Sequence, residues 1–111
     1  MDGQSLWVEL NDKSEELNRE LDNLRYWGKI LANKECDYKR ALAICILERR
    51  EEGFPATLTE NVCRGREDIS DHRRKRDISE ANYKASDQKI MILKLQIRII
   101  ESQMEAERRG I

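Results

Sequence analysis

The sequence predicts an all-α protein: a long antiparallel helical hairpin, coiled-coil-like, with a packed elbow, assembled into a dimeric or larger helical bundle. Three observations predict it. Leu10, Leu17, Leu24, Leu31, Tyr38 and Cys45 recur at seven-residue spacing through the first half of the chain. Ile69, Tyr83, Ile90, Ile97, Met104 and Ile111 do the same in the second half, with a gap at Arg76. Between the two columns lies the one clear run of helix breakers, around Gly53, Pro55 and Gly65. A sevenfold repeat is close to two helical turns, so each column is a seam that a long helix buries against another helix. The breakers mark where the chain reverses.

The 111 residues suit a single hairpin domain, 1–111, with a helix over about 5–52, an elbow over 53–65 and a helix over about 66–109. A domain of this size buries a thin core. Charged and apolar residues each make up 39% of the chain, with one proline and five glycines, the balance of solvent-exposed helices rather than of a disordered tail. Because 21 Lys and Arg meet 22 Asp and Glu, no global field draws the chain to nucleic acid or an anionic membrane.

For the first helix, Ser5 is a suitable N-cap, with Asp2 as an equal alternative, and Trp7 and Leu10 form the first buried pair. No proline interrupts the run to Glu52, and a helix of that length needs a partner along most of its course. The companion column Trp7, Ser14, Leu21, Gly28, Glu35, Leu42 and Arg49 is apolar only at alternate sites. Gly28, beside Tyr26 and Trp27, costs about 1 kcal/mol relative to alanine. Close helix approach, with the Trp27 indole covering the gap, is favoured over a kink because the seven-residue column passes the glycine in register.

Ala41 to Leu47 reads ALAICIL, apolar on every side of a helix. With a reversal near residue 59, this segment faces Asp71 to Asp77, which reads DHRRKRD. That mismatch calls for cover from the elbow, a second chain, or both. The elbow carries Phe54, Leu58 and Val62 at four-residue spacing, placed to lie back on Ile44, Leu47 and Ile69. Thr59 is read as the cap of a single turn through Arg64, ended by Gly65 in a left-handed conformation.

In the last helix KIMILKLQIRII alternates like a strand, but helix-forming flanks on both sides, without turn residues, decide for helix. Wound so, Ile90, Leu93, Ile97 and Ile100 make one stripe, expected against Leu17, Leu21, Leu24 and Gly28. Met91, Ile92, Leu95 and Ile99 make a second stripe, which has no intrachain partner. An uncovered apolar strip of this kind is an interface. With Ile44 and Leu47 it forms the expected oligomer or partner surface.

Three cysteines, Cys36, Cys45 and Cys63, are an odd count without paired spacing, and no cationic apolar leader precedes Ser5. They are read as small apolar fillers and a surface thiol in a reducing cytoplasm. A single histidine, His72, makes no metal site with scattered cysteines. No catalytic residue, metal ligand or cofactor is expected, and no apolar run approaches the ~20 residues of a membrane span.

The words LRYWGK, DYKRALA, ILERREEG, PATL, RG, EANYKA and KLQIRIIESQ, in this order from Leu24 to Gln103, resemble small uncharacterised helical-hairpin proteins of phages and prophages of low-GC Gram-positive bacteria. The chain departs from that pattern at Cys63, where the pattern has alanine, and in its cysteine-rich first helix. The resemblance implies a phage-encoded cytoplasmic accessory protein and supplies no catalytic residues. It leads to a non-enzymatic protein that associates with itself and binds a host or phage protein, as an anti-defence inhibitor or an accessory of DNA metabolism. The alternative is a recombination or replication factor contacting nucleic acid through Arg64, Arg66, Arg73, Arg74, Lys75 and Arg76 of the basic elbow. Interspersed acids make a salt-bridged solvated face the favoured reading of those cations.

Overall fold

The computed structural model describes residues 3–110. Among them the regular structure is all helical, with no strand: α1 spans Gly3–Glu51, α2 Ala56–Arg64 and α3 Glu67–Arg108. Residues 89–100 lie inside α3, so their alternating pattern is the two-striped helix. Contacts divide the described residues into two compact units. One joins 3–26 with 84–110; the other is Trp27–Tyr83.

In the first unit α1 and α3 run antiparallel along one seam. Leu6, Glu20, Ser86, Ile90, Leu93 and Ile100 are its buried residues, with Leu10, Leu17, Leu24, Ile97 and Met104 half-buried beside them. Trp7 is exposed, and Leu6, one residue earlier, is the buried residue of that turn. The helix begins at Gly3, which places Ser5 inside it rather than at its cap. Asp2 and Ile111 lie outside the described residues.

In the second unit the core is Tyr38, Cys45, Cys63 and Ile69, with Ala41, Leu42 and Ile46 packed against it. Gly28 does mark a close approach, and α1 passes it unbroken. A Cβ there would sit 3.3 Å from Cε2 of Tyr83, so the tyrosine ring rather than the Trp27 indole fills the space. The gap at Arg76 in the second column is likewise occupied. Its guanidinium lies 4.8 Å from the centre of the Tyr38 ring, so a cation and an aromatic replace an apolar pair at that level of the seam.

The register differs from the expected one. Gly28 meets Tyr83 instead of Ile90, and Glu20 meets Ser86 instead of Arg98. The cause is α2, which is a helix of nine residues rather than a single turn. Its buried Cys63 packs on Cys45, and Arg66, just before α3, already reaches Cys45 and Glu48 of α1. α3 therefore starts alongside Cys45, and the inward residues Ala41, Leu42, Cys45 and Ile46 pack in the cluster with Cys63 and Ile69. At Gly28 the slip is one heptad, from Ile90 to Tyr83 of the same seven-residue column, which keeps seam against seam; at Glu20 it is twelve residues, from Arg98 to Ser86.

The elbow corrects three further expectations. Pro55 stands at the N-terminus of α2, and Thr59 is buried in the helix with its hydroxyl donating to the Pro55 carbonyl at 2.7 Å. Gly65 is right-handed, with φ −79°. The left-handed glycine is Gly53, with φ 92°. There the Gly53 N–H donates to the Arg50 carbonyl and the Phe54 N–H to the Arg49 carbonyl, the paired bonds of a Schellman ending. Finally, Leu58 and Val62 point outward, because the buried face of α2 is the pair Thr59 and Cys63. Phe54 is half-buried against the Arg49 guanidinium.

Nothing lies within 4 Å of a Cβ built on Gly53, so alanine there meets no clash and only the backbone penalty of positive φ. Gly53→Ala is expected to destabilise the protein by about 1 to 2 kcal/mol, read as a lower urea midpoint with an unchanged m-value.

Candidate interaction surface

The two faces of α3 in the first unit contrast sharply. Ile90, Leu93 and Ile100 are buried, whereas Met91, Ile92, Leu95 and Ile99 are 51 to 63% exposed. The 3.6-residue turn explains the split: Leu93 and Leu95 are ~200° apart around the helix axis, so one faces α1 and the other faces away. All four residues of the predicted second stripe are thus uncovered within the chain. In the second unit Ile44 and Leu47 are also exposed on α1. Cys45 and Ile46 of the same segment turn inward, which shows that α2 and α3 cover only one side of it.

The basic residues of the elbow region are largely engaged. Arg66 grips Asp68 with two hydrogen bonds of 2.7 and 2.8 Å and sends its remaining nitrogen to Cys45 Sγ at 3.5 Å. Arg64 pairs with Glu60, Arg73 and Arg76 with Asp77, and Arg74 with Asp71. Lys75 alone of the six has no carboxylate in reach among the described residues. Each exposed pair contributes little to stability, yet together they leave almost no net positive field for a phosphate backbone.

Two buried polar features were not visible as a pattern. Glu20, only 8% exposed, accepts a hydrogen bond from the Ser86 hydroxyl at 2.7 Å and another from Asn23 at 3.1 Å, with the Lys89 ammonium 3.6 Å away. The Ser86 hydrogen bond, with help from Asn23 and Lys89, holds the Glu20 carboxyl below its ordinary value despite its burial. Ser79 and Ser86 occupy the same seven-residue column as Leu93 and Ile100, but a column half made of serine carries no apolar signal. The small Ser86 side chain brings its hydroxyl onto Glu20 of α1, whereas the Ser79 hydroxyl donates to the Lys75 carbonyl of its own helix.

The lowered carboxyl sets the sign of one pH effect. An unfolded Glu20 binds its proton at a higher pH than the folded one, so its stabilising contribution is complete above the ordinary glutamate range. It disappears as pH falls through the lower folded value. Glu20→Gln is therefore expected to flatten the loss of stability on acidification below about pH 4.5, as measured by urea unfolding at stepped pH.

The cysteines separate into one exposed thiol, Cys36, and two buried ones, Cys45 and Cys63. Burial, reinforced by the neighbouring Cys45, pushes the Cys63 thiol up to about 11. It stays protonated and serves as packing. Among the described residues no three metal-binding side chains come together, and no helix is long and apolar enough to cross a membrane. An open groove of about 620 Å³ lies in the first unit, lined by Leu10, Met104, Glu101, Glu105 and Arg108. Glu105 is already paired with Arg108 and Arg109.

Compared with known proteins, the chain matches no family model, no curated protein and no solved structure.

Proposed function

We propose that this is a non-enzymatic, phage-type accessory protein of the host cytoplasm. It associates with itself through the outward face of α3 and holds a host or phage protein at the surface marked by Ile44 and Leu47. Its task is that of an anti-defence inhibitor or an accessory of DNA metabolism. The observation that carries the binding role is the row Met91, Ile92, Leu95 and Ile99, more than half exposed on a helix whose other face is closed. Contiguous apolar surface of this kind is costly in water unless another protein covers it. The phage setting rests on the sequence resemblance, and the partner class on analogy with it.

Neutralised cations argue against the nucleic-acid alternative, and salt tests it. At low ionic strength the protein is expected to leave the mobility of duplex DNA unchanged. A salt-sensitive shift lost in the Arg73→Ala, Arg74→Ala variant would replace the proposal with the DNA reading. For the protein-binding role, affinity capture from host lysate is compared between the unmodified chain and the Ile44→Glu, Leu47→Glu variant. A defined host protein retained by the first and lost by the second is the expected result.

A further inference from the structure

The outward face of α3 carries more order than a greasy stripe. Ala85, Ile92, Ile99 and Ala106 form one seven-residue column, and Gln88, Leu95 and Ser102 form a second, interleaved at alternating steps of three and four. That is the spacing of a coiled-coil seam. Except for half-buried Ala106 its members are exposed, and they lie opposite Ser86, Ile90, Leu93 and Ile100, which pack on α1. The seam is also nearly palindromic about Leu95: small, polar, Ile, Leu, Ile, polar, small. A surface that reads the same in both directions is self-complementary under a two-fold axis across the helix.

Resting on the self-association just proposed, we infer that this seam pairs with the same seam of a second copy, antiparallel, with Ile92 of each copy against Leu95 of the other. Flanking charges select that orientation. In it Lys84 of one copy lies beside Glu105 of the other, and the symmetry supplies the contact twice. A parallel pair instead puts Lys84 beside Lys89 of the second copy, also twice. Sliding the antiparallel pair by one heptad, to set Leu95 against Ile99, brings Arg98 beside its own symmetry mate. Only the proposed register joins the apolar centres while keeping like charges apart. It also sets Ala85 of one copy against Ser102 of the other, where small residues let the backbones approach.

Cysteine pairing tests the register. In a Cys36→Ser background, which leaves only the two buried thiols, Ala85→Cys and Ser102→Cys are made as separate proteins and oxidised with glutathione disulfide. The expected result is a covalent dimer when the two are mixed and none when either is oxidised alone, because identical positions then lie ~25 Å apart along the paired helices. Self-cross-linking of each single variant would overturn the antiparallel arrangement in favour of a parallel one. A dimeric mass without a cross-link in any sample would overturn the register and leave self-association standing. A monomeric mass for the unmodified chain would overturn both and assign the face to a foreign protein.

Discussion

Leu93→Ala should lower the stability of the protein by about 2 to 5 kcal/mol, whereas Leu95→Ala, two residues on, should cost well under half as much at low protein concentration. The contrast follows from position alone. Leu93 is 2% exposed and loses both its transfer energy and the close contacts around it; Leu95 is 52% exposed and has no intrachain cavity to leave behind. In a domain with so few fully buried side chains, the first loss is a large share of a typical total stability of about 5 to 15 kcal/mol. Urea unfolding followed by circular dichroism at 222 nm measures both. Equal effects would mean that the two residues share a face, as they would in a strand, and would contradict the helical assignment of residues 89–100.

Replacing Leu95 and Ile99 together by glutamate should weaken self-association by more than 100-fold while leaving the helical signal of the dilute protein in place. Burying a Leu or Ile side chain is worth about 1.5 to 3 kcal/mol, and about 1.4 kcal/mol is a factor of ten in an equilibrium constant. Glutamate removes that gain and places unpaired charges in an apolar interface. Concentration-dependent light scattering reads the shift. If the variant also unfolds, folding and association are a single step, which a concentration-dependent melting temperature of the unmodified protein would show. A variant that assembles as well as the parent would remove the α3 stripe from the interface.

Much of this architecture was legible because heptad periodicity survives without any knowledge of the partner. The Leu10 to Cys45 and Ile69 to Met104 columns do line the seams, and the second stripe of α3 is uncovered as its spacing implied. Register was not legible, for a reason inherent in the repeat: Tyr83 and Ile90 occupy equivalent positions, so periodicity cannot tell which of them faces Gly28. The choice is made by α2, whose length depends on Pro55 fixing its start and on Thr59 and Cys63 fixing its buried side. Ser79, Ser86 and Glu20 escaped notice because polar residues interrupt an apolar count even when hydrogen bonding lets them be buried. Arg76 looked like a defect in its column and is a contact with Tyr38.

The elbow cations pair as the interspersed acids of the sequence implied. Read as a run, HRRKR suggests a phosphate surface; on the helix, Arg73, Arg74 and Arg76 each find an aspartate on the same helix. Local pairing of this kind is what the alternating charges of the sequence foretold, and it leaves the apolar faces as the chemically distinctive surface.

That surface makes self-association the central claim, and sedimentation equilibrium of the unmodified chain at micromolar concentration tests it most directly. The predicted result is a mass of at least twice the 13.1 kDa of one chain, falling toward one chain's mass on dilution. A mass of 13.1 kDa throughout that range would contradict it.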